Sequence, residues 1–190
     1  PRPMVTTDGH NSAFYLTNAI ELLDSPGEWY HDIRSHKLYY YPRQGEDMAK
    51  ATAVVPAVET LVQVEGTLDR PVQHVLFRNV SFQYTTWTRP SEKGHVPLQA
   101  GMYLTDGYQI TPKMVRNYQN HLLDNQGWLG RPVAAVQVSG AQEISFLNCS
   151  FEHLGSTGVD YVYGVKGGKV EGCLFRDIAG NGLLAGSFSP

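Results

Sequence analysis

Two aspartates in the C-terminal third of the chain have side chains suited to acid–base or nucleophilic chemistry. Asp160 follows a turn at Gly158, and Asp177 follows a short apolar run that includes Phe175. A carboxyl group in either place can serve as a general acid or as a nucleophile. It can equally accept backbone N–H bonds within a turn, which is the usual reason for Asp in such places. We therefore treat Asp160 and Asp177 as candidate catalytic residues, with the structural role as the alternative.

The elements that must position these aspartates form a repeat. Residues 146–159 align without a gap on residues 170–183, at an offset of 24 residues. A third copy, residues 75–82, aligns on residues 144–151 at an offset of 69 residues, so the extra length between those two copies indicates an insertion. In the first alignment Cys149 falls on Cys173, Phe151 on Phe175, Leu154 on Ile178, Gly158 on Gly182 and Val159 on Leu183.

The residues within the repeat select the fold. A repeat of about 20 to 25 residues is typical of a solenoid. Each copy has short alternating runs of Val, Ile, Phe and Cys broken by Gly, Asn and Ser, which excludes helical solenoids and does not fit a leucine-rich repeat. The sequence predicts an all-β parallel β-helix, in which equivalent residues of adjacent coils stack about 4.8 Å apart. Gly158 over Gly182 is expected to form a turn ladder with positive φ.

The same repeat predicts which polar side chains become neighbours. The offset of 24 residues brings Glu152 beside Arg176, His153 beside Asp177 and Asp160 beside Leu184. No two acidic residues occupy equivalent positions of adjacent coils. His153 and Asp177 can form a general-acid pair, or a hydrogen bond that ties two coils together. Both alternatives stay open, and we count His153 among the candidate substrate-binding residues.

The chain before the first coil is expected to form a lead-in, a short helix and a hairpin within residues 1–50. Asn18 is predicted to cap a helix over residues 19–23, with Glu21 at the capping-box position, and Pro26-Gly27 is predicted to end it. The first coil is expected at residues 51–84.

Two aromatic, strand-prone runs, residues 28–32 and 37–42, predict a β-hairpin. Its aromatic side chains can form a platform on which a sugar ring stacks, or they can cover the open end of a coil. These side chains are Trp29, Tyr30, Tyr39, Tyr40 and Tyr41.

Residues 85–131 form the predicted large loop insertion. Loops longer than about 15 residues in a compact domain are usually functional or disordered, and the aromatic residues here argue against disorder. Residues 111–123 can form a short helix, although Pro112 opposes it. The candidate substrate-binding residues of the insertion are Trp87, His95, Gln99 and Trp128. Further coils are expected over residues 132–190, so that the whole chain is one β-helix segment.

Composition narrows the classes of function. The net charge of −3 and scattered Lys and Arg leave no basic stripe for nucleic acid. No apolar run reaches about 18 residues, so no membrane span is expected. The His and Cys residues lack the spacing of common metal motifs, and we expect neither a metal site nor a cofactor. Cys149 and Cys173 can form a disulfide across adjacent coils, but stacked buried thiols are favoured.

With the hairpin and the coils in view, the chain resembles the right-handed parallel β-helix glycoside hydrolases of bacterial polysaccharide breakdown, of the β-xylosidase and α-fucosidase-like type. The motifs that carry the resemblance are residues 23–30, 38–42, 45–46, 151–155, 175–178 and 180–182. The first of these is fairly specific, whereas the coil motifs occur in many β-helices. The resemblance covers most of the chain outside the insertion, and it implies a glycan-binding groove with two hydrolytic carboxylates.

Glycoside hydrolysis needs two carboxyl groups, about 5 to 5.5 Å or about 6.5 to 9.5 Å apart. Because no acidic pair shares equivalent positions, we expect an incomplete catalytic site in a chain that stops inside a repeat and continues beyond Pro190. The predicted function is part of a secreted or periplasmic glycoside hydrolase acting on a polysaccharide or oligosaccharide. The alternatives are a non-catalytic glycan-binding module and a structural scaffold. The expected partner is the glycan, and an uncapped coil also predicts end-to-end self-association.

Overall fold

The computed structural model describes residues 19–88 and 130–186, together with the backbone of four two-residue strands between residues 103 and 130. The chain divides into two compact units, Pro1–Ala53 and Val54–Pro190. The described residues form strands, turns and irregular segments, with one short 3-10 helix. Within this described part, no helix has the length and apolarity that crossing a membrane requires.

The first unit contains the short helix, which is a 3-10 turn over Ile20–Leu22. Ala19 occupies the N-cap position and no side chain caps the helix, so the predicted capping box does not form. Asn18, the predicted cap, lies outside the described residues. The helix ends well before Pro26 and Gly27, which instead form the middle of a turn.

That turn leads directly into the hairpin. The backbone N–H of Glu28 donates to the carbonyl of Ser25 at 3.2 Å, and Gly27 has φ of 97°. Proline followed by a glycine with positive φ is the pattern of a type II turn. The predicted hairpin is confirmed: β1 (Trp29–Asp32) pairs antiparallel with β2 (Lys37–Tyr40).

The second unit is built from successive rounds, and each round is a group of short strands that follow one another along the chain. The first round comprises β3 (Val62–Glu65), β4 (Val72–Gln73), β5 (Leu76–Arg78) and β6 (Ser81–Thr85). After the insertion come β11 (Ala134–Gln142), β12 (Ser145–Leu147) and β13 (Ser150–Leu154). The last strands are β14 (Thr157–Lys166), β15 (Lys169–Glu171), β16 (Leu174–Ile178) and β17 (Leu183–Ala185).

Strands of successive rounds pair in parallel and build three sheets. One sheet has the order β17, β14, β11, β3, with β4 also paired to β11. The second has the order β15, β12, β5, and the third has the order β16, β13, β6. Each round therefore adds one layer to every sheet, as expected when a repeat stacks on its neighbour.

The register confirms both offsets that the sequence predicted. Phe151 pairs with Phe175, 24 positions later, and with Phe82, 69 positions earlier. The ring centroids lie 4.7 and 4.8 Å apart in these two contacts, and the rings are nearly parallel. Phe146 stacks on Phe77 in the neighbouring sheet at 5.0 Å. These ladders form the core, because Phe146 and Phe151 are fully buried.

The corners of the rounds depend on residues with left-handed backbone. Nine such residues stand in three columns with φ between 51° and 64°. The columns are His74, Glu143 and Gly167; Asn79, Asn148 and Gly172; and Tyr84, His153 and Asp177. Only a few per cent of non-glycine residues adopt this conformation. The first two columns lie between strands, where the chain turns, and the third lies one residue before the end of β6, β13 and β16.

The prediction that Gly158 and Gly182 form a turn ladder with positive φ is wrong, because neither glycine has positive φ. Gly158 is needed for space instead. A Cβ atom there would lie 2.6 Å from the carbonyl oxygen of Gly182 and 3.2 Å from Cδ1 of Phe175.

The insertion contributes only short strands to the described part of the chain. β7 (Tyr103–Leu104) pairs antiparallel with β10 (Leu129–Gly130), and β8 (Val115–Arg116) pairs antiparallel with β9 (Leu122–Leu123). The helix predicted over residues 111–123 is therefore wrong, since two paired strands lie within that range.

Candidate functional site

The third corner column, near the C-terminal ends of β6, β13 and β16, carries three reactive or aromatic side chains. Tyr84, His153 and Asp177 all have left-handed backbone, with φ of 60°, 53° and 51°. The other two columns change to glycine in the last round, whereas this column does not. A bulky residue such as tyrosine is a genuine outlier in this conformation. Strained positions of this kind cluster at functional sites, which makes the column the leading candidate site.

The three side chains of this column contact one another in sequence. The rings of Tyr84 and His153 stack with their centroids 5.4 Å apart and their planes 9° from parallel. Nδ1 of His153 lies 2.6 Å from Oδ2 of Asp177. The side chains of His153 and Asp177 are 41% and 70% exposed, so a molecule in solvent can reach both.

This contact has a defined chemical consequence. When the Asp177 carboxylate is ionised, Nδ1–H of His153 donates to it and Nε2 becomes the proton acceptor of the ring. A carboxylate that holds an imidazole in one tautomer is a common arrangement for moving a proton near neutral pH. The neighbours that the sequence predicted are confirmed, and a proton-transfer role is compatible with their exposure.

A second ion pair lies beside the column, one residue earlier in each strand. Glu152 pairs in register with Arg176, and Oε2 of the carboxylate contacts Nη2 of the guanidinium. The Glu152 side chain is 11% exposed and that of Arg176 is 65% exposed. Glu152 and Asp177 are therefore two carboxylates on adjacent strands, out of register by one residue. A comparison of equivalent positions alone does not find such a pair.

Asp160 lies elsewhere, in β14, and is completely buried. Its two carboxylate oxygens accept from Nε and Nη2 of Arg131, at 2.6 and 2.5 Å. Hydrogen bonding to Asp160 raises the pKa of the Arg131 guanidinium above its usual value. Arg131 is the last residue of the insertion, so this bidentate pair fastens the end of the insertion to β14. The prediction that Asp160 acts on a substrate stays a prediction, and in this arrangement a substrate reaches Asp160 only if Arg131 moves.

Trp87 follows β6 closely and is half-buried. Its backbone passes Gly155, where a Cβ atom would lie 2.9 Å from the backbone N of Trp87. Thr88 donates from its backbone N–H and its hydroxyl to Oε1 of Glu59, both at 2.7 Å. Trp87 and Thr88, three and four residues after Tyr84, therefore hold the start of the insertion against the first two rounds. The predicted binding residues His95, Gln99 and Trp128 lie outside the described residues.

The described residues include no group of three or more His, Cys, Asp and Glu side chains that could hold a metal ion. The two cysteines are free thiols. Sγ of Cys149 lies 3.5 Å from the carbonyl oxygen of Phe77, and Sγ of Cys173 lies 3.4 Å from that of Phe146. The thiols thus make the same contact in successive rounds, as stacked structural residues.

Comparisons with known proteins relate the chain to glycoside hydrolases. Residues 1–43 match a family model described as GH141 insertion domain. A solved structure named glycoside hydrolase is 70% identical, with a TM-score of 0.85, and the match covers all of this chain and 32% of that protein. The chain thus spans about a third of that relative. A search of curated proteins gave no match. Both matches support the relation to glycoside hydrolases, and neither identifies a catalytic residue or a substrate.

Proposed function

We propose that this chain is part of a glycoside hydrolase that acts on a polysaccharide or oligosaccharide. The observation that carries the proposal is the 70% identity to a glycoside hydrolase along the whole chain, with a TM-score of 0.85.

The proposed architecture of the second unit is a segment of a right-handed parallel β-helix. Its support is the repeated round of strands, in which every parallel sheet gains one strand per round. Equivalent residues such as Phe82, Phe151 and Phe175 stack as interior ladders. This architecture is that of the β-xylosidase and α-fucosidase-like enzymes that the sequence resembles, and we propose the same subtype.

The proposed chemistry uses the surface around the third corner column. Hydrolysis of a glycosidic bond needs one carboxyl group to protonate the leaving oxygen and another to act on the opposite face. Asp177, exposed and bonded to His153, is the proposed acid–base group, and His153 contacts the substrate beside it. Glu152, paired with Arg176, is the proposed second carboxylate. The proposed role of Asp160 is indirect, since its carboxylate orients the Arg131 guanidinium.

The proposed substrate contacts include Trp87, beside the column, and the insertion residues His95, Gln99 and Trp128. The enzyme is proposed to be secreted or periplasmic, because polysaccharides are too large to enter the cytoplasm. End-to-end association through stacked coils is a further proposal, in which strands of two chains would pair as the strands of successive rounds do within one chain.

One observation favours a second candidate, a non-catalytic glycan-binding module or scaffold. Asp160, one of the two predicted catalytic carboxylates, is enclosed and paired with Arg131. If Asp177 lacks a working partner, the same surface recognises a glycan without cleaving it.

A parallel screen separates these candidates. The 190-residue chain and the full polypeptide in which it occurs are incubated with a panel of plant and host glycans, and released reducing ends and bound glycan are measured together. Cleavage by the full polypeptide that is lost on Asp177→Asn supports the proposed enzyme. Binding by both forms without cleavage by either supports the binding module and contradicts the enzyme.

A further inference from the structure

One face of the hairpin in the first unit exposes a large aromatic ring. Trp29 lies opposite Tyr40 and His31 lies opposite Leu38, so these four side chains share one face of the two strands. Trp29 is 66% exposed and Leu38 is 50% exposed, whereas Tyr40 is half-buried. The face therefore presents the indole of Trp29 to solvent with a tyrosine beside it.

Tyr40 is held in place by a polar network. Its hydroxyl donates to Oε2 of Glu46 at 2.6 Å, and Nη1 of Arg43 lies 3.2 Å from the same hydroxyl. Arg43 also donates from its backbone N–H to Oε2 of Glu46 at 2.8 Å. The hydrogen bond from Tyr40 lowers the pKa of Glu46, which favours its ionised form. The side chains of Arg43 and Glu46 are 62% and 35% exposed, so a ligand in solvent can reach both.

The opposite face and both ends of the hairpin are also fixed. Tyr30 and Tyr39 stack there with ring centroids 6.3 Å apart. The loop after β1 is closed by Asp32, whose Oδ1 accepts the backbone N–H of Arg34 at 3.0 Å. At the other end, Gly27 has φ of 97°, a left-handed backbone that favours glycine, and it lies against the guanidinium of Arg43. The hairpin backbone and the Tyr40 side chain are thus held in place before any ligand arrives, which reduces the entropy lost on binding.

We propose that this face is a glycan-binding platform in which one sugar ring stacks on Trp29 and its hydroxyls bond to the Tyr40, Arg43 and Glu46 groups. The apolar C–H side of a pyranose fits the flat face of an indole, while its hydroxyls need charged donors and acceptors at the rim. That the ligand is a glycan rests on the proposed function. The platform lies in the first unit and uses none of the candidate catalytic residues.

The size of the face favours a sugar over a protein partner. A stable protein interface buries about 800 Å² on each partner. The apolar part of this face is formed by Trp29, Leu38 and Tyr40, on two strands of four residues each. Its rim carries the charged groups of Arg43 and Glu46. Such a rim suits a small polar ligand whose hydroxyls each need a hydrogen-bond partner.

Three variants of the intact chain test the platform with arabinoxylan and xyloglucan as probes. Binding is measured by titration calorimetry, and melting curves check the fold. Trp29→Ala is expected to weaken binding by about tenfold or more, because aromatic anchors dominate binding energies. Trp29→Phe retains an aromatic ring and should weaken binding less. Ile33→Ala, at a 73% exposed apolar residue of the same hairpin, is the matched control and should leave binding unchanged.

The outcomes separate the platform from the enzyme. Binding of both probes that is unaffected by Trp29→Ala overturns the platform even where the full polypeptide hydrolyses them. Binding lost with Trp29→Ala supports the platform, whether or not any form hydrolyses the probes. If the unchanged protein binds neither glycan, the platform is overturned. A change in the sedimentation of the chain with Trp29→Ala would then identify a protein contact at this face.

Discussion

Nδ1 of His153 lies 2.6 Å from Oδ2 of Asp177, and the bond joins two strands through residues 24 positions apart in sequence. Both residues have left-handed backbone, and the imidazole stacks on Tyr84 in the preceding round. Three successive rounds thus contribute one side chain each to a connected and exposed group. This relationship underlies the proposed acid–base role of Asp177.

The buried pair of Asp160 and Arg131 is expected to stabilise the second unit strongly. Asp160→Asn leaves the guanidinium without its partner in a largely enclosed place, where breaking a buried ion pair costs about 3 kcal/mol or more. Urea denaturation followed by circular dichroism measures the loss. The matched control is Asp177→Asn, because Asp177 is exposed and asparagine tolerates left-handed backbone. That control should cost less than about 1 kcal/mol, and an equal loss in both variants would contradict the structural role of Asp160.

Gly158 is expected to be intolerant of even one added methyl group. In Gly158→Ala the new Cβ meets the carbonyl oxygen of Gly182 at 2.6 Å, and overpacking of this kind costs about 1 to 3 kcal/mol. Thermal melting reports the effect. Gly182→Ala serves as the control, because its Cβ would approach no atom closer than 3.4 Å, on the Phe175 side chain. A Gly158→Ala protein as stable as the control is inconsistent with the close approach of the two rounds.

Cys149 and Cys173 are expected to remain reduced after exposure to air. Each thiol contacts a backbone carbonyl of the preceding round, and Cys149 is only 2% exposed. Alkylation under denaturing, non-reducing conditions should therefore add two groups per chain, as read by intact mass. In the folded protein Cys173 should react before Cys149, since burial blocks reagent access. A chain that takes up no reagent until it is reduced would instead contain a disulfide.

The sequence predicted the registers because the ladders carry the same residue types. Phe151 and Phe175, and likewise Cys149 and Cys173, identify equivalent positions without any gap, so the offset of 24 residues was sufficient to find the His153–Asp177 neighbours. The hairpin was equally accessible, because its two aromatic runs flank a short polar turn.

Other features of the fold and of the candidate site are not marked by any local sequence pattern. Tyr84, His153 and Asp177 adopt positive φ without a glycine in their column, and only the paired strands reveal the corner. Glycine at position 158 suggested a backbone requirement, whereas its actual role is close packing. The partner of Asp160 is 29 residues away at the end of the insertion, outside the repeat, so no offset could identify Arg131.

The central claim is that Asp177 takes part in hydrolysis, and one kinetic comparison tests it most directly. The full polypeptide and its Asp177→Asn variant are compared on a glycan that the unchanged protein cleaves, with Glu171→Gln as the control. Glu171 is another exposed carboxylate, bonded to Lys169 in a different sheet. Loss of an acid–base group lowers kcat by about 100-fold or more, so we expect that fall for Asp177→Asn and none for Glu171→Gln. Activity of Asp177→Asn within about twofold of the unchanged protein would contradict the account, since no transition-state interaction would have been lost.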